Sequence, residues 1–100
     1  MKKGGWVYIV TNKYHTVLYT GVTSDLVGRM QEHRSKCYPS SFTARYNADK
    51  LVYYYLYDTI EEAIEEEKRI KGGSREAKMK LISQLNAAWD DLWLKDVSKW

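Results

Sequence analysis

The sequence predicts an α+β fold on three observations. Two short runs of apolar and β-branched residues are separated by a loop of hairpin length, a helix follows them directly, and a third apolar run leads into two capped helical stretches. Val7, Ile9 and their neighbours, then Val17, Leu18, Thr20 and Val22, suit two strands of a half-buried sheet. Asn12 to Thr16 connect them. Gly21 falls where a side chain would obstruct whatever approaches the backbone. Thr23 or Ser24 then caps a helix from Leu26 to about Lys36, with Asp25 in its first turn. Leu26, Arg29, Met30 and His33 recur at i, i+3, i+4 and i+7, so an Arg and a His share the stripe that meets the sheet. That placement asks for more than packing.

Cys37 to Asn47 reads as an ordered polar loop around Pro39, with Phe42 and Tyr46 spaced to fix it onto the core. Leu51 to Tyr57 is a third strand, apolar or amphipathic at every position, which predicts cover on both faces, inside the sheet or under helices. Its tyrosines suit core rings with hydroxyls at the rim, or else a stacking platform for bases. Thr59 and Glu62 form a capping box opening a helix over Ile60 to about Lys71. Its apolar stripe is Ile60, Ala63, Ile64 and Ile70, with Glu67 in the middle. A carboxylate there must be paired, hydrogen-bonded or bound to a cation. Gly72-Gly73 stops the helix. Ser74 caps the next, which turns Ala77, Leu81, Ile82 and Leu85 inward and is closed by Asn86. Ala87 to Trp93 forms a further turn with Trp89 and Trp93 docked, and a loose tail is expected beyond Leu94. Nothing marks a boundary, so residues 1–100 are read as one domain with a core of about 5–94.

Composition narrows the function classes. A chain of 100 residues that is 44% hydrophobic and 14% aromatic has the makings of an ordered globule. Net charge is +3 but unevenly spread: residues 1–50 hold eight Lys/Arg against three Asp/Glu, and residues 51–100 hold eight against ten. A basic first half suits a phosphate-facing surface, although ordinary charge scatter gives the same pattern. The single Cys37 excludes an internal disulfide and any CxxC site. His15, His33 and Cys37 lack zinc spacing, and no apolar run is long enough to span a membrane. A cytoplasmic protein is expected.

The chemistry rests on a phenol, an imidazole, a guanidinium, a carboxylate and a carboxamide all expected at one sheet. Singly, each has a structural explanation: a rim hydroxyl, a snorkelling Arg, a Glu67–Arg29 pair. Together they match the needs of phosphodiester hydrolysis, in which a water needs a proton acceptor and the transition state needs cations. One inward carboxylate suffices for Mg²⁺, because water and substrate phosphate complete its octahedron.

The sequence resembles the GIY-YIG endonuclease superfamily. Its first motif corresponds to Trp6-Val7-Tyr8 and its second to Tyr19-Thr20-Gly21, and the likeness continues through Arg29, His33, Glu67 in EEEKRIKG and Asn86 in LISQLNAAWDDL. Those phrases, with FTARYNADKLVYY, are similar to small stand-alone bacterial members of excinuclease type, over roughly Gly5 to Leu94. Trp6 replaces the usual first glycine and Thr20 the usual isoleucine; neither change removes a reacting group. The resemblance implies a small central antiparallel three-stranded sheet flanked by helices, and one divalent ion, Mg²⁺ or Mn²⁺, on Glu67. It further implies Arg29 on the phosphate, Tyr8 or Tyr19 as general base or water-orienting group, His33 assisting proton transfer, and Asn86 supporting phosphate or architecture. DNA is the implied substrate, with a protein partner or a homo-oligomer as a source of specificity. Two rivals stand beside the nuclease: a binding module using Lys2, Lys3, Arg34, Lys36 and Arg45 on phosphates, and a scaffold in which every polar group is structural.

Overall fold

The computed structural model describes residues 4–100; Lys2 and Lys3 lie outside the described residues. Strands Gly5–Thr11 (β1), Leu18–Thr23 (β2) and Lys50–Tyr57 (β3) form one antiparallel sheet in the order β2-β1-β3. Alternation along β1 sends Tyr8 and Val10 to one face and Val7 and Ile9 to the other. On the first face they meet Leu26 and Met30 of helix Leu26–Ser35 (α1), with Leu51, Leu92 and Val97. Between α1 and β3 lies a single helical turn, Phe42–Arg45 (α2). On the second face Val7 and Ile9 pack with Val52, Ala63 and Ile70 of helix Ile60–Lys71 (α3), and Ile82 of helix Arg75–Leu85 (α4). The sheet is therefore covered on both sides, and a Cβ on Gly5 would overlap Ala63 and Ile60, so close that α3 docks directly on the β1 backbone.

Several elements differ from the sequence reading; in α4, Ala77 and Leu85, expected inward, are exposed and Ile82 alone is buried. β3 is an edge strand rather than an interior one, buried only over Leu51, Val52 and Tyr53; Tyr55 and Leu56 project past the helices and are about half exposed. The cap of α1 is Asp25, whose carboxylate accepts from the Gly28 amide at 3.0 Å, while Thr23 holds the Asp25 amide. An ionised acceptor at a helix N-terminus outcompetes a hydroxyl. Thr43 and Ala48, not Phe42 and Tyr46, are the buried residues of the segment after α1. As expected, Thr59 caps α3 by accepting from the Glu62 amide.

Beyond Leu94 a loose tail was expected, and the structure shows the chain still docked. Helix Leu92–Lys95 (α5) runs into a 3₁₀ turn over Val97–Lys99, with Val97 fully buried and the Trp100 ring 5.3 Å from that of Trp6. Pairing of β1 with β3 is irregular between Ile9 and Val10, which face Tyr53 and Leu51, so Val52 is an extra residue in the ladder. Its carbonyl is satisfied by the Asn86 side-chain amide at 3.2 Å.

Candidate active site

The sheet register brings the two motif tyrosines together. Tyr8 pairs with Gly21 and Val10 with Tyr19, so Tyr8 and Tyr19 are diagonal neighbours on one face. The Tyr8 ring lies over Gly21, where any Cβ would overlap it and its hydroxyl. The residue that approaches Gly21 is thus the chain's own tyrosine. α1 crosses above them and places His33 one turn beyond Arg29, with the His33 ring 5.6 Å from that of Tyr8 and 6.0 Å from that of Tyr19.

Hydrogen bonds hold the imidazole from both sides. Tyr8 Oη lies 2.9 Å from His33 Nε2, and His33 Nδ1 lies 3.0 Å from Thr43 Oγ1, which is 3.3 Å from Ser41 Oγ. When the phenol donates to Nε2, Nδ1 carries the ring proton and donates to Thr43. Arg29, Glu32, His33, Tyr19, Phe42 and Thr43 wall a hollow of about 220 Å³ over this chain of groups. Arg29 pairs with Glu32 at 3.3 Å, three residues along the same helix.

Electrostatics keep both members of the Tyr8–His33 pair neutral. Burial pushes the Tyr8 phenol far above its ordinary value, and Tyr19, Glu32 and Glu67 push it the same way while Arg29 opposes them. Burial also lowers the His33 imidazole, helped by Arg29 and resisted by Glu32. The Tyr8 phenol therefore keeps its proton in the free protein: desolvation outweighs the Arg29 guanidinium, which favours the phenolate.

Glu67 approaches from the other helix layer. It sits between Ala63 and Ile70 on the inward face of α3, with its side chain 12% exposed and its Oε2 accepting from Lys71 Nζ at 3.3 Å. The pair is not sealed, because Lys71 is 57% exposed. The Lys71 ammonium stands 5.7 Å from the centre of the Tyr19 ring, so Tyr19 separates the Glu67–Lys71 pair from the hollow.

Comparison with known proteins bears directly on this constellation. The model of the GIY-YIG catalytic domain matches residues 4–81. The chain belongs to the GIY-YIG family. A UPF0213 protein of Syntrophus aciditrophicus is 37% identical over 79 residues, covering 79% of this chain and 90% of the relative. A second, from Staphylococcus saprophyticus, is also 37% identical over 79 residues and is covered to 94%. The solution NMR structure of a UPF0213 protein from Bacillus halodurans superposes with a TM-score of 0.56 at 28% identity, over 88% of this chain and 92% of that one. These agreements bear out the three-stranded antiparallel α+β architecture expected from the motifs.

Within this GIY-YIG domain the structure gathers Tyr8, Tyr19, Arg29 and His33, with Glu67 near enough that its charge acts on the Tyr8 phenol. Asn86 lies elsewhere: its amide donates to the Val52 and Asp90 carbonyls and its oxygen accepts from the Asp90 amide, which commits it to closing the turn after α4. It also falls past the matched stretch, which ends at residue 81. Two of the expected phosphate contacts already have partners. Arg34 binds Asp91 at 3.2 Å and stacks 5.7 Å from the Trp93 ring centre, and Lys36 binds Asp49 at 3.6 Å. Arg45 is exposed beside Tyr46. Glu32, Thr43 and Lys71 were not read as site residues. Spacing from Arg29 and Glu67 could have flagged Glu32 and Lys71, whereas Thr43 reaches His33 from a segment without periodicity.

A single inward carboxylate is compatible with a hard divalent cation. Among the described residues no group of three or more His, Cys, Asp or Glu converges, which excludes a zinc-type cage. A lone carboxylate held by a displaceable surface lysine suits an ion that keeps most of its water, as Mg²⁺ or Mn²⁺ does.

Proposed function

We propose that this GIY-YIG domain is an endonuclease that hydrolyses DNA phosphodiester bonds, with one Mg²⁺ or Mn²⁺ held by Glu67. The observation that carries the reading is the neutral Tyr8–His33 pair, whose imidazole lines an open hollow beside Arg29. Tyr8 donates its proton toward His33 Nε2, which leaves lone pairs of the phenol oxygen to accept a proton from water. As water delivers that proton to Tyr8 Oη, the phenol's own proton passes to Nε2, so hydroxide forms without a free phenolate. Tyr8 is only 2% exposed and does not itself line the hollow, so the reacting water must reach its hydroxyl past Tyr19 and His33, which do. In the tautomer that leaves Nε2 able to receive, Nδ1 donates to Thr43, and neutrality of His33 at pH 7 keeps Nε2 receptive. Arg29 binds a non-bridging phosphate oxygen, and Tyr19 lines the approach. The divalent ion, when bound, supplies neutralisation of charge on the leaving oxygen.

Glu67→Gln is the first test. It keeps shape and removes the charge, so cutting of plasmid or branched DNA with Mg²⁺ or Mn²⁺ should fall below detection while the melting transition stays near that of the parent. Undiminished cutting by a contaminant-free preparation would remove Glu67 from the reaction. Tyr8→Phe should lower the rate by ~10²–10⁴ and Tyr19→Phe by less. Salt-sensitive DNA binding with no metal-dependent cutting by the parent would instead make the domain a binding module.

A further inference from the structure

One surface feature begins at the hollow and extends beyond the hydrolytic groups. Tyr19, Phe42 and Tyr46 form a continuous run of rings, with Tyr19 stacked on Phe42 at 6.1 Å and 28° and Phe42 against Tyr46 at 4.8 Å. Phe42 and Tyr46 are each 46% exposed, although a loop anchor would be buried. The anchoring is done by Thr43 and Ala48, so these rings are free of that task. A cation stands at each end: the Lys71 ammonium over Tyr19 and the Arg45 guanidinium 5.9 Å from the Tyr46 ring centre. Between Tyr19, Phe42 and the lysines Lys71 and Lys78 runs a shallow trough of about 370 Å³. Lys78 is fixed there by donating to the Lys71 and Gly73 carbonyls.

We infer that this strip is a stacking platform for unpaired nucleotides, and that the domain takes single-stranded nucleic acid, or the unpaired arm of a branched one, leading into the hollow. The inference rests on the hydrolytic reading for its direction but on the strip for its chemistry. Rings alternating with cations at their ends match a strand whose bases stack and whose phosphates lie beside them; paired bases in a duplex keep their faces hidden from such a surface. Phe42 belongs both to the strip and to the wall of the hollow, so a strand lying along the rings arrives at His33 and Arg29.

Binding in EDTA tests the platform apart from cutting. Anisotropy of a labelled oligothymidylate and of a duplex of equal length, at one salt concentration, should show tighter binding of the single strand. Phe42→Ala and Tyr46→Ala should each weaken single-strand binding by roughly 5- to 150-fold, the equivalent of ~1–3 kcal/mol per stacked base, with duplex binding unmoved. Phe42→Leu keeps apolar bulk without a π face and should behave as Phe42→Ala, while Phe42→Trp should restore binding. Equal affinity for the two substrates, no binding of oligothymidylate, or parent-like binding by Phe42→Leu overturns the platform. Single-strand preference without cutting under any divalent ion leaves the platform standing and removes the nuclease. Duplex cutting without single-strand preference does the reverse.

Discussion

Gly21→Ala puts the site's construction to a physical test that needs no substrate. In a strand, replacing Gly by Ala ordinarily stabilises by roughly 0.5–1 kcal/mol, because the glycine loses more freedom on folding. Here the added methyl would overlap the Tyr8 ring and hydroxyl, and the ring has nowhere to retreat: Tyr8 is 2% exposed and α1 lies above it with Leu26 and Met30 buried. Overpacking of this kind costs ~1–3 kcal/mol. Set against the strand gain, the net loss is ~0–2.5 kcal/mol with a centre near ~1, and in a chain of this size each ~1 kcal/mol lowers the melting temperature by roughly 4–8 °C. Urea and thermal unfolding of the purified variant measure it. The same change in a Tyr8→Leu background should recover most of the loss, giving a coupling above ~1 kcal/mol in a double-mutant cycle. A variant that melts at or above the parent, or a cycle that is additive, would show that the tyrosine does not need the missing side chain.

Other expectations follow from burial and bonding elsewhere. Because burial and Arg29 lower the His33 imidazole, the unfolded chain takes up this proton first as pH falls. The linked stability is fully present above the ordinary His value of 6.5 and is lost as pH drops from there through the depressed value. Urea midpoints at about pH 7.5 and about pH 5.5 should therefore differ less in His33→Gln than in the parent; an equal difference excludes His33 as a source. Asn86→Ala strands the Val52 and Asp90 carbonyls and should cost roughly 1–3 kcal/mol in urea unfolding. Val97→Ala removes two fully buried methyl groups and should cost ~1.5 kcal/mol at ~0.8 kcal/mol per carbon; an unchanged midpoint would mean that the C-terminal turn is not docked in solution.

How much of this was legible depended on whether a signal was local. Runs of apolar and β-branched residues gave β1 and β2, and the helical stripe that set Arg29 and His33 beside Leu26 and Met30 gave the overhead placement of the imidazole. Glu67 stood out because a carboxylate between Ala63 and Ile70 breaks an apolar face. Long-range partnerships left no such mark. Arg34 looks like any surface cation until Asp91, 57 residues away, is found against it, and Asn86 gains its structural task from an irregularity at Val52 that no residue pattern announces. Half the tyrosine-rich third strand was misjudged for a related reason: composition reports that a segment tolerates burial, whereas cover depends on how far α3 and α4 extend across it. α5 and the 3₁₀ turn are too short for periodicity to show, so the docking of Val97 was invisible.

Charge pairing explains how a basic, nucleic-acid-facing site can stay folded without its substrate. Arg29 is matched with Glu32 and Lys71 with Glu67, each within one helix and each partly open to solvent, so neither pair carries much stability by itself. That weakness suits the proposed chemistry. On the proposed reading, a phosphate competing for Arg29 in the hollow would release Glu32, one competing for Lys71 on the far side of Tyr19 would release Glu67, and a freed carboxylate beside bound phosphate is where a divalent cation would gain most. Binding of nucleic acid and of the cation should accordingly be mutually reinforcing. On that reading the same exchange would act on His33, where burial is the larger cause of the depressed imidazole and Arg29 the second: phosphate charge would offset the Arg29 part and make the proton from Tyr8 easier to accept. On the proposed reading the resting site is self-neutralised, and the substrate's own charge would favour the reacting protonation state.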